Sequence, residues 1–125
     1  GIDLVRAQLR IAAGEPLGLQ QSELRPRGHA IECRICAEDP ENGFLPSPGK
    51  ILALREPQGP GVRIDSGLAA GLAVSPHYDP MLAKLCAWGE TRAAAIRRMV
   101  TALGELATVG CTTNAGFLRD VLRSA

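Results

Sequence analysis

Aromatic side chains are scarce in this sequence. One Trp, one Tyr and two Phe make up 3% of its 125 residues. A core of this size must then rest on Leu, Ile, Val and Ala. Charge of one sign is lacking as well: fourteen basic side chains face thirteen acidic ones, a net charge of +1. That balance gives no electrostatic reason to expect nucleic acid or an anionic membrane as partner. No apolar run approaches the roughly 20 residues that span a bilayer. The opening Gly1-Ile2-Asp3-Leu4 has neither a basic n-region nor a signal-peptide core. With no Met before it and a helix just behind, it reads as the start of an excised fragment.

Cysteine is present but not dense. Cys33, Cys36, Cys86 and Cys111 are too few for a disulfide scaffold and read as reduced thiols in a cytoplasmic or organelle-matrix protein. Hydrophobic residues at 46% and charged residues at 22% are ordinary for one soluble domain.

Periodicity supplies the elements. Ile2, Val5, Leu9 and Ala12 follow one face of a helix over residues 2–13, which Gly14 and Pro16 end. Residues 29–38 alternate: His29, Ile31, Cys33, Ile35 and Ala37 are mostly apolar, while Glu32, Arg34 and Glu38 are charged. This period of two predicts a strand with one buried and one charged face. Turns follow at 38–43 and 45–50, then short strands at 51–54 and 62–65, then a loop-rich stretch over 66–80. The apolar run 81–88, with Lys84 its one charge, predicts a central strand covered on both faces. Thr91 caps a helix reaching about residue 106, and Asn114 caps a last one. Helix, strands, helix, helix predicts a single α+β domain, mainly antiparallel, with flanking helices.

Several local patterns invite chemistry. Cys33-Arg34-Ile35-Cys36 is a C-x-x-C, yet on a strand residues 33 and 36 point to opposite faces and do not chelate one ion. No metal site is expected. Pro48-Gly49-Lys50 falls short of a phosphate-binding loop. His77 and Asp79, with Ser75 and Ser66 nearby, lack a nucleophile-elbow motif. Arg34 is the least ordinary charge. In mid-strand it either pairs with Glu32, its same-face neighbour, or presents a fixed fork of donors to an anion at a cleft wall.

An ordered set of segments carries more. Gly28-His29-Ala30-Ile31-Glu32-Cys33-Arg34-Ile35, Ala37-Glu38-Asp39-Pro40, Phe44-Leu45-Pro46-Ser47-Pro48-Gly49-Lys50-Ile51, Gly61-Val62-Arg63, Tyr78-Asp79-Pro80-Met81 and Lys84-Leu85 occur in that order. Together they resemble the C-terminal domain of biotin carboxylase, as found in acyl-CoA, pyruvate and urea carboxylases. The opening Gly1-Ile2-Asp3-Leu4-Val5 and Gly110-Cys111-Thr112-Thr113-Asn114 fit the same pattern, so the resemblance covers nearly the whole chain, and residues 1–125 are expected to form this one domain. Cys36, His77, Pro80 and the Cys111-Thr112 pair depart from residues common in the family.

The resemblance implies a lobe inactive alone, in an enzyme that uses ATP, Mg²⁺ and bicarbonate to carboxylate biotin on a carrier domain. An ATP-grasp part preceding Gly1 would bind the nucleotide. The carrier domain, that ATP-grasp part, a carboxyltransferase component and a second copy in a homodimer are the implied partners. Cytoplasm, or the mitochondrial matrix, is the implied compartment. Arg34 matches the arginine that contacts the biotin ureido oxygen, with Glu32 and Asp79 as support. Arg63 matches a dimer-interface position. A stand-alone interaction module on the same scaffold is the alternative, because fold alone does not settle function.

Overall fold

Alternation sets the first long strand. Its apolar positions turn inward and its charges outward, and one open edge is left for other elements to cover. The computed structural model describes residues 2–124. Helix α1 is Leu4–Ala12 and strand β1 is His29–Cys36. Four short strands follow: β2 (Glu38–Asp39), β3 (Leu45–Pro46), β4 (Gly49–Lys50) and β5 (Ala53–Arg55). Then come β6 (Val62–Ser66), β7 (Ala73–Val74), β8 (Met81–Gly89), helix α2 (Arg92–Glu105), β9 (Ala107–Val109) and helix α3 (Ala115–Arg123). Every strand pair is antiparallel. The α+β expectation holds.

The main sheet has the order β1-β8-β6. Its inner face presents Cys33, Ile35, Ala83, Leu85 and Ala87, which pack against Met99, Ala102 and Leu103 of α2 and against Leu106. Ile35, Leu85 and Met99 are wholly buried. Small alanines on β8 let α2 lie close, and the buried core contains no aromatic side chain. Thr91 caps α2 as expected: its hydroxyl oxygen accepts from the Ala94 N–H at 3.2 Å.

The short strands form three two-stranded ribbons, β2 with β3, β4 with β7, and β5 with β9. The β4 strand crosses the turn after β9 so closely that a Cβ on Gly49 would meet the Gly110 carbonyl. Gly110, at φ +109°, would in turn strike the Lys50 carbonyl. Only two glycines fit that crossing. Phe44 and Phe117 meet edge to face at 5.0 Å and tie the 40–46 turn to α3.

Three expectations need correction, and one strand is unexpected. The first strand ends at Cys36, where its register with β8 shifts, instead of running to residue 38. The central strand β8 is covered on one face only. Ala83, Leu85 and Ala87 are buried, whereas Leu82, Lys84 and Cys86 are half-exposed and Trp88 is exposed. An apolar run therefore marks the central position but does not fix two-sided burial. The helical face of α1 forms, with Asp3 accepting from the Arg6 N–H at 2.9 Å, but none of its residues is buried. Residues 14–28 hold only one short 3₁₀ turn and carry α1 away from the core. Last, β9 is too short and too close to α2 to read from periodicity.

The packing makes a clear stability contrast. Leu85→Ala should destabilise the chain by about 2–5 kcal/mol, the range for a buried leucine that leaves a cavity. Leu9→Ala on exposed α1 should change stability by less than about 0.5 kcal/mol. Urea unfolding of the two variants measures both. Equal effects would mean that α1 belongs to the core.

Candidate functional site

The outer face of the main sheet carries two charged rows. Register pairs Glu32 with Cys86 and Cys86 with Arg63. One step along, Arg34 pairs with Lys84 and Lys84 with Asp65. Successive members of each row stand about 4.8 Å apart across the sheet. Glu32, Arg34, Arg63 and Asp65 are exposed, and Lys84 and Cys86 are half-buried. The face is a lattice of alternating charge, with Arg34 and Lys84 its one like-charged direct pair.

Arg34 is extended, outward-facing and 70% exposed. Its Nε stands 3.5 Å from Glu32 Oε1, the outer limit of a hydrogen bond. An exposed pair so long contributes less than about 1 kcal/mol. Glu32 therefore biases the Arg34 rotamer without locking it. Among the described residues, the two terminal guanidinium nitrogens make no protein hydrogen bond. The ion pair and the free fork coexist, so the two readings of Arg34 are not rivals.

Asp79 reaches the same end of the sheet by another route. Its Oδ1 accepts from the Met81 N–H at 2.8 Å, which starts β8 opposite Cys36. Burial raises the pKa of the nearby Cys36 thiol, Glu38 and then Asp79 add to the rise, and Arg34 lowers it. The structure thus gathers Glu32, Arg34 and Asp79 around the C-terminal half of β1. Arg63 lies two strands away, 76% exposed, with its Nε donating to Asp65 Oδ1 at 2.9 Å.

The other motifs resolve into turns and packing. The Ser75 and Ser66 hydroxyl oxygens accept from the His77 and Leu68 backbone N–H groups and cap turns. Neither engages the His77 ring. Cys33 points inward and Cys36 outward, as the strand period requires. The four cysteines are unpaired thiols.

One residue exceeds its expected part. Asn114 makes no side-chain cap for α3. It is a buried polar residue, 8% exposed. Its Oδ1 accepts from the Cys36 N–H at 3.0 Å, and its Nδ2 donates to the Arg34 carbonyl at 3.1 Å. The contact spans about eighty positions of sequence, and no local pattern announces it.

The comparisons add to this geometry. The family model described as the biotin carboxylase C-terminal domain matches residues 32–125. The chain belongs to that family. The matched span covers β1 from Glu32 onward, all of β8 and α3, and so both charged rows. A biotin carboxylase of Haemophilus influenzae is 55% identical over 91% of this chain, which spans 25% of that relative. The mitochondrial propionyl-CoA carboxylase alpha chain of Homo sapiens is 44% identical over 98% of this chain, which spans 17% of it. The biotin carboxylase domain of the Hydrogenobacter thermophilus 2-oxoglutarate carboxylase, solved as a dimer with MgADP, ADP and bicarbonate, superposes with a TM-score of 0.94. It is 40% identical over 98% of this chain and 27% of its own. The chain thus spans about a quarter or less of the length of these relatives.

The thiols give this domain a pH signature. Burial raises all four above their ordinary value of 9.0. Glu32 acts in the same direction on Cys33 and Cys86. An unfolded chain therefore releases these protons first as pH rises. The contribution to stability is full below about pH 9 and falls as pH climbs through the raised values. Urea midpoints should drop between about pH 8 and about pH 10, and Cys33→Ala should shrink the drop. An undiminished drop in that variant would assign the alkaline loss to other groups.

Proposed function

We propose that this chain is the C-terminal lobe of a biotin carboxylase and that Arg34 is its contribution to the biotin site. One observation carries the reading. A guanidinium stands on an extended strand with its terminal donors free, at the position that the sequence resemblance assigns to the family's ureido-oxygen arginine. When bound, biotin supplies the ureido nitrogen that accepts the carboxyl group. ATP and Mg²⁺, acting with bicarbonate, supply its activation.

Arg34 acts on charge. A ureido nitrogen is a weak nucleophile until its proton leaves, and the charge then spreads onto the ureido oxygen. A fixed guanidinium binds that oxygen more strongly as it becomes negative, which is the differential binding that lowers a barrier. The planar fork holds the oxygen in a set direction, as an ammonium does not. Glu32 biases the Arg34 rotamer from the same strand, and Asp79 fixes the start of β8 beside it. Lys84, directly across, adds positive potential to the same spot.

Nucleotide and magnesium do not suit the residues here. The chain has no glycine-rich phosphate loop. Among the described residues, no group of three His, Cys, Asp or Glu side chains can hold a metal ion. Those ligands belong to the ATP-grasp domain in this reading. That domain faces the open side of the β1-β8-β6 sheet and supplies the opposite wall. The biotin carrier domain delivers its ring between the two, and a carboxyltransferase component takes the carboxyl group onward. Arg63, exposed at the far strand, serves a homodimer contact. Four unpaired thiols suit a reducing compartment, the cytoplasm or the mitochondrial matrix.

The test is a substitution in the intact carboxylase. Arg34→Ala should lower the rate of biotin carboxylation by about 10²–10³, the range for loss of one oxyanion donor. Arg34→Lys should recover part of that loss, since it restores charge without the fork. Near-normal turnover in Arg34→Ala would reject the role.

A further inference from the structure

The open edge of β1 is where Arg34 is held in place. In an antiparallel pair, alternate residues turn their N–H and C=O groups toward the partner strand and away from it. Only β8 flanks β1. The Arg34 carbonyl and the Cys36 N–H turn the other way, off the sheet edge. There the Asn114 carboxamide meets both, Nδ2 to Arg34 O at 3.1 Å and Oδ1 to Cys36 N at 3.0 Å. The Asn114 backbone N–H donates to the Cys36 carbonyl at 3.2 Å. The orientation of the amide follows from chemistry alone, because a carbonyl only accepts and an N–H only donates.

A carboxamide carries a donor and an acceptor in one plane, as a peptide group does. Asn114 therefore stands in for a further strand over one residue pair. It does so where β1 needs support: the register with β8 shifts between Ile35 and Cys36, and the strand ends at Cys36. Without Asn114, two half-buried backbone groups at and beside Arg34 would lose their protein partners, and an edge strand next to an irregularity would be free to twist. The same residue begins α3, so helix position and Arg34 position are fixed by one clip.

The function above assigns the guanidinium; its support is a separate matter. Glu32 holds the Arg34 side chain only loosely, at 3.5 Å in solvent. The firm constraint on Arg34 is thus on its backbone. We propose that Asn114 is a positioning residue for Arg34, its carboxamide clamping the strand on both sides of Ile35 so that the guanidinium meets the ureido oxygen in a fixed direction. The inference rests on the ureido-oxygen role of Arg34.

Asn114→Asp keeps size and the acceptor but sets an oxygen against the Arg34 carbonyl. In the intact carboxylase, Asn114→Asp should lower kcat for biotin carboxylation about ten- to a hundredfold, the scale of a misplacement near 1 Å. KM for ATP, and ATP cleavage measured without biotin, should stay within about twofold, because the clip touches neither. In an Arg34→Ala background the same substitution should cost less than about twofold, since its effect passes through the guanidinium. An undiminished loss in that background would overturn the proposal, as would normal turnover in Asn114→Asp alone. A parallel loss of ATP cleavage would overturn it too, by making the effect a general one of folding. Should Asn114→Asp not fold, Asn114→Ser, which cannot bridge both groups at once, takes the same measurements. Failure of both to fold would make Asn114 a residue of the fold and overturn the functional role. Normal turnover in Arg34→Ala by itself would instead defeat the ureido-oxygen reading, and this inference with it.

Discussion

The pairing of β1 with β8 governs everything else in the molecule. It divides one stretch of alternating sequence into two environments. Cys33, Ile35, Ala83, Leu85 and Ala87 go to a core sealed by α2, while Glu32, Arg34, Lys84 and Cys86 go to an open charged face. A slip of β1 by one residue would turn that strand over, burying Arg34 and exposing Ile35. The burial of these five side chains opposite α2 is what keeps the guanidinium outside. Core and site are therefore not separate parts of the domain; the same hydrogen-bond register specifies both.

In the proposed function, that face is one wall of a site. A concavity of about 850 Å³ is lined by Ile2, Glu23, Arg27 and Trp88 at the opposite end of the sheet. The chain belongs to the family and spans about a quarter of the length of its Haemophilus relative. Charge on the face fits its use as a wall. Arg34 and Lys84 stand directly opposed, an arrangement that costs a sheet stability, with Glu32 and Asp65 at its margins. Such a pair lies idle in a merely solvated surface and is useful where an oxygen turns negative.

Much of this was legible in the sequence because it is periodic or punctuated. The two-residue alternation over 29–36 gave both the strand and the outward direction of Arg34, and Thr91 gave the start of α2. Lys84 stood out as one charge in an apolar run. What escaped is what depends on distance along the chain. That β8 is bare on one face follows from which elements pack against it, and α1 keeps its apolar stripe in solvent because residues 14–28 lead it away from the core. Asn114 is the sharpest case. Its position just before a helix announces a cap, yet its side chain serves a strand about eighty residues earlier. Local pattern identifies the element a residue belongs to, and only the fold decides which backbone it completes.

The central claim is a contact between one guanidinium and one oxygen. A structure of the intact carboxylase with biotin seated in the site measures it most directly. The account predicts a terminal nitrogen of Arg34 within about 3 Å of the ureido oxygen, the distance of a charge-assisted hydrogen bond. A ureido oxygen held by another residue, with Arg34 more than about 6 Å away and turned to solvent, would contradict it.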